Sequence, residues 1–252
     1  MKKQLLLLLL SINMIQATPL GLNNVMVDGY FRYWNVSDRG TIGDTGNTAN
    51  FNGDSDNAYS IGVKLDFGQS ITDLMYTKFD TMSDLLSTQT VALNGTSYVA
   101  NQRTNLFKAS QLDFHLKHLI FDNEATSFRW IGGLTYIDFK DQTRIKVAMG
   151  NGSDMNSTGI LPVVGLEAEW FIRSNLSLRS HVKFSDFNLG SDDMRLKDFE
   201  IGMVYSPMDI LDLEFGYKKY SLDVFSTQNG SGIMRKSSHD LSGLYSQLNW
   251  LF

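Results

Sequence analysis

"GLYSQLNWLF", Gly243 to Phe252, alternates from its first residue to its last. Leu244, Ser246, Leu248, Trp250 and Phe252 share one parity, and Gly243, Tyr245, Gln247, Asn249 and Leu251 the other. Successive side chains of a β-strand point to opposite faces, so one face of this segment is mostly apolar and the other mostly polar. Chain termini commonly fray, yet this one finishes on Trp and Phe two residues apart. Its apolar face needs something to bury it.

The same period of two recurs upstream. Expected strands lie near Asn24 to Trp34, Ala58 to Gly68, Ile71 to Met82, Ala109 to Phe121 and Ser127 to Lys140. Five more follow at 160–172, 175–187, 196–205, 211–225 and 239–252. In the second, Tyr59, Ile61, Val63, Leu65 and Phe67 oppose Ser60, Gly62, Lys64 and Asp66; in the fourth, Leu112, Phe114 and Leu116 oppose Gln111, Asp113, His115 and Lys117. The connections alternate as well. The odd-numbered ones run from about 8 to about 26 residues and those between them mostly from about 2 to 7.

Composition narrows the class. "MKKQLLLLLLSINMIQA" has two lysines, a short apolar core and a small residue at Ala17, which predicts an export signal over 1–17 and a mature domain over 18–252. The core is too short for the roughly 20 residues of a spanning helix. There is no cysteine, which removes disulfides, thiolate nucleophiles and Cys-based metal sites. Without Lys2 and Lys3 the 22 basic residues fall to 20 against 27 acidic ones, a net charge of −7 and a poor match to nucleic acid. The mean hydropathy of −0.16 suits a water-soluble protein. A membrane-spanning sheet gives the same average, because lipid-facing and lumen-facing residues cancel.

An expected export signal, alternating strands with long and short connections in turn, and a final strand carrying Leu248, Trp250 and Phe252 on one parity together resemble the Gram-negative outer-membrane β-barrel proteins. The resemblance implies a ten-stranded antiparallel transmembrane β-barrel, with eight or twelve strands as neighbouring possibilities. It implies outer-membrane lipid as surroundings, periplasmic N- and C-termini, and a last strand read by the barrel-assembly machinery through Leu248, Trp250 and Phe252. A soluble sandwich or barrel is the competing architecture. It would have to place rows of Phe, Trp and Tyr inside a narrow lumen, where little room is expected.

The hairpin around Arg173, Ser174 and Asn175 makes the lumen specific. If Trp170 and Leu178 both face lipid, a three-residue loop sets Trp170 across from Leu178 and Leu166 across from Val182. On the other face the same register pairs Glu169 with Arg179 and Glu167 with His181, with Lys183 on that face too. Glu200 and Lys218 are candidates for a similar pair. These residues form either a salt-bridged plug, the favoured reading, or the lining of a narrow channel for small solutes or ions.

Enzyme readings have less to stand on. A ten-stranded barrel resembles the omptin proteases, and His239 and Asp240 lie near the outer end of the last strand, but adjacent strand residues point apart. Ser242 is placed as a lipid A-modifying hydrolase or acyltransferase would need, with no His and acid assignable beside it. No catalytic residue, metal ligand or cofactor is assigned. Asp54 and Asp56 have a spacing found in Ca²⁺ loops without the remaining ligands. Asp154 to Thr158 holds an acidic sequon-like stretch, Asp-x-Asn-x-Thr. Phe67, Phe121, Phe128, Trp130, Trp170, Tyr205, Trp250 and Phe252 fall at expected periplasmic ends and read as an interfacial girdle. The expected protein presents five outer loops in a structural or interaction role, with no ligand named.

Overall fold

The structure is a computed structural model, and it describes residues 25–44, 47–85, 90–93, 96–99, 103–145, 152–186, 192–227 and 234–252. The expected signal at 1–17 lies outside them. The strands are β1 (Met26–Asp44), β2 (Asn47–Asp66), β3 (Ser70–Leu85), β4 (Thr90–Leu93), β5 (Thr96–Val99), β6 (Arg103–Asp122), β7 (Thr126–Ile145), β8 (Gly152–Arg173), β9 (Leu176–Ser185), β10 (Asp193–Met208), β11 (Leu211–Thr227) and β12 (Met234–Leu251). Ten of them close into an antiparallel ring in the order β1-β12-β11-β10-β9-β8-β7-β6-β3-β2, and β2 returns to β1. Strands β4 and β5 form a separate hairpin.

The end of the sequence closes the ring. Asp28 pairs with Leu251 and Phe31 with Leu248, and the Phe252 N–H donates to the Val27 carbonyl at 2.9 Å. The Phe252 ring lies over Gly29, where a Cβ would sit 3.0 Å from it. A ring of strands has no edge for another chain to pair with.

One end of the barrel carries the short turns, and local chemistry explains them. Gly68, at a φ of 83°, occupies a left-handed conformation that only glycine adopts easily, and its N–H donates to Asp66 Oδ1 at 2.6 Å. Asn123 Oδ1 accepts from the N–H groups of Ala125 and Thr126, both at 2.8 Å.

The other end departs from expectation. The stretch between Trp34 and Ala58, expected as a long Gly- and Asn-rich loop, is mostly ladder, with Asp44 paired to Asn47 across 45–46. Asp56 lies within β2 and accepts the Met82 N–H at 2.7 Å, while the Asp54 side chain is outside the description. The Asp154 side chain is outside it too, and Asn156 lies within β8, its side chain exposed. The third connection contains the β4–β5 hairpin.

Why these extensions form strands follows from what each half of the barrel buries. In the half nearer the short turns, apolar side chains point out and polar ones in. Going up each strand, the outward face then turns polar at one level: Tyr33 gives way to Asn35, Tyr59 to Asn57, Tyr76 to Lys78, Tyr136 to Asp138 and Tyr217 to Lys219. Above that level the inside becomes apolar. Trp34, Val36, Phe79, Phe107, Ile137, Phe139, Leu222 and Val224 are buried there in one cluster. The alternation persists and its sense reverses. The expectation that a ten-stranded lumen lacks room for large aromatics is therefore wrong for this half, because the rings interdigitate both across the axis, where Phe79 on β3 lies 5.4 Å from Tyr220 on β11, and between neighbouring strands, where Phe107 on β6 lies 6.0 Å from Phe139 on β7.

Candidate functional site

Below the apolar core, the lumen holds charges contributed by most of the ring. The hairpin from β8 to β9 has the expected register, with Glu169 opposite Arg179, Glu167 opposite His181, Trp170 opposite Leu178 and Leu166 opposite Val182. Arg179 donates to Glu169 at 3.0 Å and to Glu214 at 3.2 Å, so it bridges two carboxylates rather than one. Glu167 takes its closest cation from β6, Lys117 at 2.7 Å, while the His181 ring leans toward Asp198 and Glu200, 3.7 and 3.9 Å away. Cross-strand register thus brought each pair to one level, and longer side chains from other strands then reached across the narrow lumen.

The tightest group centres on Glu200 and Asp198. Arg32 grips Glu200 with both terminal nitrogens, at 2.6 and 2.9 Å, and its Nε donates to Gln247 at 2.6 Å. Lys218, directly across from Glu200 in the ladder, lies 3.3 Å from it and 2.8 Å from Asp198, which also receives Lys183 at 2.9 Å. Asp73, Arg129, Glu214 and Tyr30 extend the network: Lys117 lies 3.6 Å from Asp73, whose Oδ1 accepts the Tyr30 hydroxyl at 2.8 Å, and Arg129 lies 3.6 Å from Glu167. Glycines make room for the bulky members. A Cβ on Gly202 would lie 2.2 Å from the Tyr245 hydroxyl oxygen, which donates to Glu214 at 2.6 Å.

His181, Asp198 and Glu200 could offer ligand atoms within 4.8 Å of one another. Their carboxylates are already held by Lys183, Lys218 and Arg32, three positive charges against two negative ones. A divalent cation would enter a region whose charge already favours anions, so the group works as an ion-pair cluster.

A second polar group sits inside the apolar core. His239 Nδ1 lies 2.9 Å from Asp38 Oδ2, and Nε2 lies 3.0 Å from Ser237 Oγ and 3.4 Å from Asp141 Oδ2. Ser237 Oγ donates to Asp141 at 2.5 Å, and Thr81 donates to Asp38 at 2.9 Å. The Phe107 ring stacks on the imidazole at 4.0 Å, with Phe51 at 5.0 Å and Phe139 at 6.5 Å. Burial favours the neutral ring, but Asp38 and Asp141 together outweigh it and His239 is pushed up to about 10. It is an imidazolium at neutral pH. Asp240 faces outward, as parity requires, and the acids of His239 come from β1 and β7 instead. With His239, Ser237, Asp38 and Asp141 all at 0% exposure, no substrate reaches this Ser, His and Asp set.

Sequence reasoning missed Arg32, Asp73, Lys117, Asp198 and Glu214 as members of the lower network. The signal was present for some: Lys117 stands on the polar parity of β6, and Arg32 between Phe31 and Tyr33 on β1. Asp38 and Asp141 gave none, because each lies where the apolar pattern changes sides.

No family model matches the chain, and no curated protein does. Among solved structures, the outer membrane protease OmpT of Escherichia coli superposes with a TM-score of 0.57 at 9% identity, over 90% of this chain and 97% of that one. This chain has the fold of the Gram-negative outer-membrane β-barrel proteins. The transport unit of the autotransporter AIDA-I of E. coli (TM-score 0.46, 9% identity, 95% of each chain) and a major outer membrane protein of Thermus thermophilus (0.44, 12%, 89% of this chain and 99% of that one) are also similar. At these identities the likeness concerns fold. What the barrel does rests on its own lumen and walls.

Proposed function

We propose that the chain is a ten-stranded barrel of the outer membrane with a closed lumen, acting as a structural or interaction protein through its outer half, with both termini periplasmic. The observation that carries this reading is the size of the lumen space. The cavity bounded by Arg32, Lys64, Lys117, Glu167, Arg179 and Glu200 measures about 30 Å³, and the next one up, beside Trp34 and Phe79, about 10 Å³. That is room for a water or two. A pore for solutes needs a continuous aqueous path, and here the apolar core stands directly above the ion pairs. The outward apolar belt, bounded by Tyr33, Tyr59, Tyr76, Tyr136 and Tyr217 above and by Phe121, Phe128, Trp170, Trp250 and Phe252 below, supports the membrane placement.

Planar-bilayer recording of the refolded protein tests the closed lumen. A silent membrane is expected. Discrete conductance steps at neutral pH would replace this reading with the narrow channel.

Leu248, Trp250 and Phe252 are proposed as the strand signal for the barrel-assembly machinery. Replacing Phe252 by Asp should leave export intact and reduce the heat-modifiable, SDS-resistant species several-fold, since a charge near the lipid boundary costs up to about 1 kcal/mol and the seam over Gly29 is lost as well. Wild-type yield of the compact species in the variant would remove Phe252 from the assembly step.

An enzyme is disfavoured by the position of His239. Its four-residue polar set resembles a nucleophile with its base in distances alone and lies sealed beneath three phenyl rings.

A further inference from the structure

A recess on the molecule's outer wall exceeds both lumen cavities described above in volume. On the outside, where β9, β10, β11 and β12 run side by side, a groove of about 370 Å³ is bounded by Val182, Phe199, Lys197, Lys219, Ser221 and Asp240. Its position is set by register. Lys197 pairs with Ser221 and Ser221 with Asp240, while one outward step lower Val182 pairs with Phe199 and Phe199 with Lys219. The groove therefore straddles the level at which the outward face turns from apolar to polar. Below it continue Ile201, Met203 and Tyr217; above it stands Arg195, committed to Asp186 at 2.7 Å.

Two cations in the groove are uncommitted. Among the described residues neither Lys197 nor Lys219 has an ion-pair or hydrogen-bond partner. Several other cations are engaged: Lys108 with Asp80, Arg195 with Asp186, and Lys183 and Lys218 with Asp198. Lysine side chains at such a boundary extend their heads toward the interface and lay their stems along the apolar wall.

We propose that this groove binds a phosphate-bearing amphiphile of the outer leaflet, with the phosphate between the Lys197 and Lys219 ammonium groups and an acyl chain running down over Phe199 and Val182. The position and the charge each exclude part of the alternatives. A free anion would use the lysines and gain nothing from the apolar floor. A neutral lipid would use the floor and leave both charges unmatched. Asp240 sets the orientation: its carboxylate repels a second phosphate on the β12 side and accepts a hydroxyl donor there, as a sugar headgroup carries. The proposal rests on the membrane placement given above.

The test uses the full chain refolded in dodecylmaltoside, with bis-phosphorylated lipid A as the probe and native mass spectrometry counting the adducts. Heat-modifiability on SDS gels is read on every sample. The wild-type barrel should retain lipid A, and Lys197→Gln/Lys219→Gln should weaken retention by at least about tenfold, the effect expected of two headgroup-contacting lysines. Asp240→Asn should tighten it. Dephosphorylated lipid A should bind as weakly to the wild type as lipid A does to the double variant, and excess inorganic phosphate should fail to compete. Equal retention by a heat-modifiable double variant overturns the site while leaving the barrel in its membrane. Full competition by inorganic phosphate makes it a free-anion site and overturns the amphiphile. A chain that never becomes heat-modifiable removes the membrane placement and this proposal with it.

Discussion

An Arg32→Met barrel should unfold with about 3 kcal/mol less free energy than the parent, and Arg32→Met/Glu200→Gln should recover more than half of that loss. The single change leaves Glu200 in a lumen that gives it little water. Its side chain is 4% exposed and that of Arg32 is 9%, and the guanidinium supplies two of its closest contacts. Lys218 at 3.3 Å offsets part of the loss, which is why the figure sits at the lower end for a broken buried pair. Neutralising both partners removes the stranded charge, and Lys218 keeps Asp198. A contrast comes from Lys108 and Asp80, 3.1 Å apart and about half exposed, where the same substitutions should change stability by no more than about 0.5 kcal/mol. Urea unfolding in lipid vesicles measures all of these. A cost near 0.5 kcal/mol at Arg32 would show that water screens the lumen charges, as in an open channel, and the closed-lumen reading would fall.

The second large effect is a pH dependence. His239 carries a folded-state pKa raised from the ordinary imidazole value to about 10, so the folded barrel binds a proton that the unfolded chain releases above about 6.5. The stability this contributes is complete below pH 6.5 and is lost as pH rises through the folded value. On the order of 4 kcal/mol should disappear between those limits. The loss should appear first in the outer half, as new proteolytic sites near the β1–β2 and β11–β12 ends, while the lower belt keeps its SDS resistance. His239→Gln keeps a polar group among Asp38, Ser237 and Asp141 and has no proton to lose. Its stability should be lower at pH 6 and nearly flat from pH 7 to 9.5. A slope in that window equal to the wild type's would assign the effect to other groups.

How far the sequence carried these conclusions differs between the two halves of the barrel. In the lower half one assumption, a three-residue loop over 173–175, reproduced the pairing of Trp170 with Leu178 and of Glu169 with Arg179, because lipid outside and charge inside give each parity a single meaning; the turn itself is shorter, with Arg173 paired to Leu176 and a register shift between Phe171 and Arg173 making up the difference. In the upper half the apolar residues change sides. Along β7, Leu134 and Tyr136 face out and Ile137 and Phe139 face in, so a strand read by its apolar parity ends one turn of the pattern too early. Gly, Asn, Asp and Ser around 35–57 then completed the appearance of a loop. The His239 group was hidden by the same switch, since Asp38 and Asp141 sit on elements that had not been extended that far. No local rule connects positions on β1, β7 and β12 whose meeting depends on closing the ring. The lumen cations were partly legible by parity, and which acid each would choose was not, because long side chains cross the axis to strands that are not neighbours.

With the termini placed as proposed, the reversal of the alternation at the tyrosine level also decides how the molecule meets what lies beyond the bilayer. Some eight residues of β8 continue above Ile160, on the order of 20 Å of height once the strand tilt is allowed for. That rise is a laddered wall with its own packed filling, so it stands off the bilayer as a stiff pedestal. A flexible loop loses conformational freedom when it docks, roughly 1–2 kcal/mol for each residue it orders. A pedestal has already lost it. Whatever associates with these upper strands meets a fixed height and a fixed outline, and must match them as they are.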